Sequence, residues 1–312
     1  METVIFIVLK SVLAGVGWGY YLLPHFFRRN LARAIGFLFY CAGHRADVIR
    51  GNLKIAFPGE DLKTVELRAK LFRQFYDHLA QVILEIFLVF GPMRRFVDKF
   101  CQVKGVENWT AAKKLGKGVL LLSSHVGNWE VMSAIGTCYF GMDLLLVTKK
   151  VKPSWFHRLL ENARLSYGVK GTYEPKTMRD IILQIKQGNA VGIVLDQYAG
   201  PPVGVRVPFF DYPAGTTTAL AALAKRTGAP VLPVLIYRDE SGAWVGEIEP
   251  PLEWVPNENL TRELAENTAM YVKKIEQHVR ACPNQWLWSH RRFKGNLSPI
   301  SPEEWSEGRV RA

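Results

Sequence analysis

Apolar residues follow two regimes along the chain. Residues 4–23 read VIFIVLKSVLAGVGWGYYLL, twenty positions interrupted by one charge, Lys10. A helix of that length rises roughly 30 Å, about the thickness of a bilayer's hydrocarbon core. Trp18, Tyr20 and Tyr21 gather at its end, and Arg28, Arg29 and Arg33 follow. That order fits an interfacial aromatic belt with a cytoplasmic basic flank. The pattern predicts a membrane-associated helix, spanning or half-inserted, because Lys10, Gly15, Gly17 and Gly19 weaken the span. A secretory signal fits poorly: Glu2 precedes the run and Pro24-His25-Phe26-Phe27 follows it. Residues 34–41 (AIGFLFYC) are too short to span and are expected to pack on the first helix or lie at the interface.

Helical spacing continues from residue 61 to 90, with Val65, Leu71, Phe75, Leu79, Val82, Ile83 and Ile86 among the apolar positions. Gly91-Pro92 ends it. Short apolar runs then appear at 119–122, 144–147, 190–195, 231–236 and 244–248, each bounded by Gly, Pro or charge. Helical spacing returns between several of them, at 153–165, 177–187 and 216–227, and again late, at 261–281. Strands alternating with helices imply βαβ units. The predicted fold is therefore α/β, with a mostly parallel central sheet flanked by helices. Residues 1–45 form an N-terminal membrane anchor and interfacial helix, and residues 46–312 one α/β domain.

Composition narrows the function. The 312 residues are 48% hydrophobic, enough to build a sizeable core, which excludes disorder for the chain as a whole. Cys41, Cys101, Cys138 and Cys282 form no CxxC pair, so neither a zinc ribbon nor a thioredoxin-type site is expected, and scattered thiols suit a reducing compartment. The net charge of +12 admits nucleic acid, an anionic membrane or an acidic partner. Part of it lies in residues 149–186, where nine Lys and Arg face three acids.

The sharpest local feature is Gly118-Val-Leu-Leu-Leu-Ser-Ser-His125-Val-Gly-Asn-Trp-Glu130. An apolar strand runs into a histidine and then into a turn, and reactive groups of α/β sheets sit where parallel strands end. Histidine is the readiest general base near neutral pH, and a carboxylate improves it by holding its tautomer and stabilising the imidazolium. Glu130 is five positions on. A regular helix would separate the two side chains, but a strand–turn–helix brings the chain back, and Gly127 permits the turn. The alternative is a core histidine that is merely hydrogen-bonded. No metal site is expected, since no second His or Cys stands at ligand spacing. Ser123 and Ser124 lack a Gly-x-Ser-x-Gly elbow, which argues against a serine nucleophile.

The stretch His125-Val-Gly-Asn-Trp-Glu130 resembles the signature of the bacterial lipid A biosynthesis acyltransferases, the late lauroyl/myristoyl-type enzymes. These belong to the lysophospholipid acyltransferase superfamily, whose hallmark is His-x4-Asp/Glu. Further blocks resemble that family in order: Asn52-Leu53 with Ala56-Phe57-Pro58, then Asp196-Gln197, then Val207-Pro208-Phe209-Phe210 with Ala214-Gly215-Thr216-Thr217, and finally Trp286-Leu-Trp-Ser-His-Arg-Arg-Phe-Lys294. The likeness covers roughly residues 1–295. Tyr198-Ala-Gly-Pro-Pro-Val-Gly204 and Asp211-Tyr212 depart from it, in a loop expected to touch the acceptor.

The resemblance implies O-acyl transfer from a thioester to a hydroxyl. His125 would be the general base and Glu130 the group that orients it. Asn128, Arg164, Asp196, Gln197, Arg291 and Arg292 would bind substrate. Arginine suits bidentate binding of a lipid phosphate, though on bland grounds Arg164 is a solvated helix-face charge. Asp196 would pair with Arg164 or position the acceptor, and Asn128 would donate a hydrogen bond or simply form the turn. The implied partners are acyl carrier protein, a phosphorylated glycolipid acceptor and membrane lipids, with no nucleic acid. No cofactor is implied: acyl carrier protein or coenzyme A thioester is a co-substrate. The implied location is the bacterial inner membrane, single-pass or monotopic, with the catalytic domain on the cytoplasmic face. Two readings stay beside it. One keeps the fold with a lysophospholipid, aminolipid or other glycolipid acceptor. The other is a non-catalytic, basic membrane-associated binding protein.

Overall fold

The computed structural model describes residues 2–200 and 203–294. Pro201 and Pro202, part of the departing loop, lie outside the described residues. Helices α1 (Glu2–Leu22) and α2 (His25–Ala42) open the chain. They break at Leu23-Pro24, where proline disfavours helical backbone in the residue before it. The chain bends by 119° between Phe6–Leu22 and His25–Ala42. Among the described residues no single helix is long and apolar enough to cross a membrane; the bent pair satisfies length and composition together.

α1 is docked on the body. A Cβ added to Gly17 would lie 2.3 Å from the Phe87 carbonyl oxygen, so only glycine allows this approach. Tyr20 is buried. Arg28 is buried too, its guanidinium 4.2 Å from the centroid of the Phe100 ring. It therefore does not belong to the exposed basic flank; Arg29 and Arg33 do.

Next come α3 (Ala46–Ala56) and α4 (Leu62–Ile86). Asp61 caps α4 by accepting from the backbone N–H of Thr64 at 3.1 Å. Residues 34–41 lie within α2 and pack on α4. After a 3₁₀ turn (Phe87–Phe90) and α5 (Met93–Phe100) the chain enters the sheet.

The α/β part runs β1 (Cys101–Lys104), α6 (Val106–Lys114), β2 (Val119–Ser123), α7 (Trp129–Cys138), β3 (Leu144–Val147), α8 (Ser154–Leu165), β4 (Val169–Thr172), α9 (Thr177–Lys186) and β5 (Ala190–Val194). It continues through β6 (Gly204–Phe209), β7 (Tyr212–Thr217), α10 (Ala219–Thr227), β8 (Val231–Arg238), β9 (Trp244–Ile248) and α11 (Leu260–Ala281). Seven strands form one sheet in the order β1-β9-β8-β2-β5-β3-β4, parallel except for the β8–β9 pair.

Alternate residues serve two cores. Leu120, Leu122, Val191 and Ile193 face one layer with Phe75 of α4 and Tyr271 of α11. Val119, Leu121, Leu144 and Val234 face the other, with Val131 and Ile135 of α7 and Leu159 of α8. Strands buried on both faces read as continuous apolar runs, which is why the five predicted strands were visible.

The antiparallel ribbon β6–β7 was not predicted. Residues 216–227 carry helical spacing, yet Thr216 and Thr217 belong to β7 and the helix starts at Ala219. β-branched threonines favour the strand. The ribbon turns through Phe210 and Asp211, at φ 52° and 60°. Glycine usually supplies such a turn. Here the Phe210 N–H donates to Glu276 Oε2 at 2.9 Å, which holds it in place.

Candidate active site

β2 and β5 are parallel neighbours with Ser123 opposite Val194, so the residues just beyond them meet. His125 follows β2 and Asp196 follows β5. The His125 Nδ1–H donates to Asp196 Oδ1 at 2.7 Å, and its backbone N–H donates to Oδ2 at 2.8 Å. The indole N–H of Trp286 donates to the same Oδ2 at 2.7 Å. Three donors thus converge on one buried carboxylate. Burial by itself raises the Asp196 carboxyl, but the charge and hydrogen bonds of His125, with the Trp286 N–H, overcome it and hold it well below the usual carboxylate range. For His125, burial pulls the pKa down, and the Asp196 charge and hydrogen bond outweigh it and raise the pKa.

With Nδ1 engaged, Nε2 carries the lone pair. The Gln197 side chain lies beside it, Nε2 to Nε2 at 3.5 Å. His125 lines a cavity of 410 Å³ between α7 and the sheet. Its polar end holds His125, Gln197, Thr148 and Lys149, and its apolar wall includes Leu121, Leu144 and Val234.

Glu130 has a different partner from the one expected. It sits in the first turn of α7, buried, and accepts from Arg164 Nε at 3.0 Å and from Arg164 Nη2. This bidentate pair joins α7 to α8. Burial lowers the Arg164 guanidinium, but Glu130 dominates and raises its pKa, so the cation is permanent. Among the described residues no hydrogen bond joins Glu130 to His125. Asp196 stands in the orienting position expected of Glu130, and Glu130 takes the arginine considered for Asp196. The reason is geometric: Glu130 has already turned into the helix, whereas Asp196 arrives on the adjacent strand.

The turn between them is built backbone-first. Gly127 has φ +69°, and an added Cβ would lie 2.2 Å from the Ile236 carbonyl oxygen, so glycine is required on both counts. Asn128 is fully buried and caps α7, its Oδ1 accepting from the N–H groups of Glu130 at 3.0 Å and Val131 at 3.3 Å. Its amide donates to Glu85 Oε2 at 2.8 Å. Glu85, buried on α4, also receives the Arg238 guanidinium and the Trp244 indole N–H. Asn128 is therefore a cap anchored to the core.

The C-terminal block packs against the same turn. Gly127 N–H donates to the Gln285 carbonyl at 2.8 Å, and Leu287 N–H to the His125 carbonyl at 3.1 Å. Asn52 donates to the carbonyls of Trp288 at 2.7 Å and His290 at 2.8 Å, which ties two of the recognised blocks together. Arg292 is fully buried, and its guanidinium donates to the carbonyls of Gln197 at 3.0 Å and Gly215 at 2.7 Å and to Thr216 Oγ1 at 2.6 Å. It holds the Gln197 loop and does not line the cavity; Arg291 is exposed.

Sequence reasoning missed Glu85 and His78. His78 hydrogen-bonds the Gly127 carbonyl at 3.2 Å, and burial holds its pKa down to about 4, so it is a neutral donor. Only a charged or ionisable residue inside an apolar helix face signalled either. Among the described residues no three His, Cys, Asp or Glu side chains come together as a metal site.

The sequence model of the bacterial lipid A biosynthesis acyltransferases matches residues 3–295. The chain is 27% identical over 256 residues to the lipid A biosynthesis palmitoleoyltransferase of Escherichia coli K12, covering 80% of this chain and 79% of that one. It is 28% identical over 261 residues to the lipid A biosynthesis lauroyltransferase of the same organism, with the same coverage of 80% and 79%. A phosphatidylinositol mannoside acyltransferase of Mycobacterium tuberculosis (strain CDC 1551 / Oshkosh) is 23% identical over 201 residues, 63% of this chain and 61% of that one. Matched over nearly its whole length, this chain belongs to the bacterial lipid A biosynthesis acyltransferase family.

Proposed function

We propose that this protein transfers a fatty acyl chain from an acyl carrier protein thioester to a hydroxyl of a phosphorylated lipid A precursor, at the cytoplasmic face of the bacterial inner membrane. The observation that carries this reading is the Asp196–His125 hydrogen bond, which leaves Nε2 as the basic nitrogen at the polar end of the cavity. His125 removes the acceptor hydroxyl proton as the oxygen attacks the thioester carbonyl. The tetrahedral intermediate collapses, the C–S bond breaks, and the imidazolium returns the proton to the departing thiolate. Asp196 stabilises the imidazolium and fixes the tautomer. Glu130 and Arg164 brace the α7–α8 wall of the cavity. No covalent acyl-enzyme and no cofactor is needed.

The donor and the membrane are read from surface chemistry. Lys149 lines the polar end of the cavity, and Lys150, Lys152, Arg158, Lys176 and Arg179 are exposed in the same stretch of chain, whereas Arg164 is buried and Lys170 is paired with Asp143. This basic face suits the acidic carrier protein, with coenzyme A thioester as the alternative donor. Val8, Val12 and Val16 of α1 recur every fourth residue and are exposed, as are Phe26, Phe27, Phe37 and Leu38 of α2. With its opposite side docked on the body, α1 presents this apolar face to the bilayer in the manner of an in-plane anchor.

The test incubates membranes containing the chain with acyl carrier protein thioester and lipid A precursor, beside coenzyme A thioester and lysophospholipid controls. Transfer abolished by His125→Ala is the expected result. Transfer that survives His125→Ala sinks the mechanism, and transfer confined to lysophospholipid sinks the acceptor. Val12→Asp with Val16→Asp is expected to release the folded chain from membranes into the soluble fraction; retention of both changes in the pellet would refute the in-plane anchor.

A further inference from the structure

Phe140 stands between two cavities. It lines the apolar wall of the active-site cavity and also an open surface groove formed with Trp109, Lys113, Lys114 and Tyr139. It lies between α7 and β3, just before the N-terminal end of β3. His125, by contrast, follows the C-terminal end of β2, and β2, β5 and β3 are parallel. Phe140 therefore closes the cavity at the end away from the catalytic base, with solvent-facing groove behind it.

The cavity also owes its width to a missing side chain. Gly192 is the central residue of β5 and faces Leu121 of β2 on one side and Leu146 of β3 on the other. All three line the cavity. A Cβ at Gly192 would lie 2.7 Å from Leu146 Cδ2, so any side chain there would intrude into this space. Glycine inside a buried strand weakens the strand and is kept where something approaches the backbone closely.

We propose that Phe140 is the stop that sets the longest acyl chain this protein accepts, and that Gly192 keeps open the slot leading to it. This rests on the acyl-transfer reading above. Removing the ring joins the cavity to the Trp109–Tyr139 groove, so a longer chain can thread past. Adding a side chain at residue 192 narrows the slot and favours shorter chains.

Two readouts on the full-length protein in detergent micelles test it: transfer from a graded series of saturated acyl carrier protein thioesters, and thermal stabilisation by the matching nonhydrolysable S-alkyl pantetheine thioethers. Phe140→Ala is expected to move both optima to longer chains, and Gly192→Ala and Phe140→Trp to move both to shorter ones. Each methylene gained or lost beyond the limit changes the relative rate roughly tenfold or more. An unchanged optimum for folded Phe140→Ala and Phe140→Trp, or a shift of Gly192→Ala toward longer chains, overturns the proposal. If the binding optimum shifts as expected but the wild type transfers no acyl chain, the stop stands and the assigned reaction falls.

Discussion

Two buried carboxylates, Asp196 and Glu130, stand near the same cavity and do different things. Asp196 is flanked by three N–H donors, two of them from His125, and faces the reacting end. Glu130 is closed off by the fork of Arg164 between two helices. In the proposed reaction one pair contains a group that changes its protonation state in each turnover. The other contains a permanent cation, and a buried pair of that kind contributes shape more than chemistry. A carboxylate five residues from a base in sequence is thus less informative than one on the neighbouring parallel strand.

The largest effect that separates the two pairs is expected from Asp196→Asn. The asparagine keeps the volume but does not stabilise the imidazolium, so the turnover rate should fall by about 10²- to 10⁴-fold in single-turnover assays, with the circular dichroism spectrum unchanged. Glu130→Gln should show the opposite balance. It strands the Arg164 cation in the core, costing about 3–5 kcal/mol in urea unfolding, and slows transfer less than Asp196→Asn once the folded fraction is matched. Adding Arg164→Met should restore most of that stability. Should Glu130→Gln stop transfer in a fully stable protein while Asp196→Asn remains active, the two roles must be exchanged.

Acidity sharpens the contrast. The proposed mechanism needs neutral His125, whose pKa is raised, so the acid limb of kcat/KM should lie above about 6.5, the value of a free imidazole. In Asp196→Asn the raising partner is gone and burial remains, so this limb should move to lower pH; a fixed limb would mean that another group controls it. Stability follows from the same pair. The raised His125 pKa contributes stability that is full below about 6.5 and lost as pH rises through its folded value. The depressed Asp196 pKa contributes stability that is full above about 3.9 and lost as pH falls through its folded value. The pair's contribution therefore peaks between about pH 4 and 6.5, measurable by urea titration of wild type against Asp196→Asn.

The smallest effect is expected from Trp286→Phe. It removes one of three donors to Asp196 without touching the His125 bond, for a loss of about 1.5–3 kcal/mol in unfolding free energy. Equal losses of rate in Trp286→Phe and Asp196→Asn would mean that the indole matters to the reaction beyond holding the carboxylate.

The motif containing His125 was legible because an apolar run, a histidine, Gly127 and Asn128 are local signals of a strand and a turn. The strands at 144–147 and 244–248 were legible to the residue, since their apolar runs end at Gly, Pro or charge. β1 and β4 were not, because CQVK and VKGT are short and half polar. Asp196 and Gln197 were flagged, but the partner of Asp196 was not, because it depends on which strand lies beside β2. Arg28 and Arg292 look like surface charge in the sequence and are buried by long-range packing.

By itself, the sequence determined the alternation of strands and helices and the turn after His125, because each is written in the spacing of neighbouring residues, and its ordered blocks of similar residues pointed to the family. The tertiary structure alone decided which carboxylate serves the histidine, that α1 lies docked on the body, and that a missing side chain at Gly192 opens the cavity. These follow from strand order and close approach, which join residues far apart in the chain.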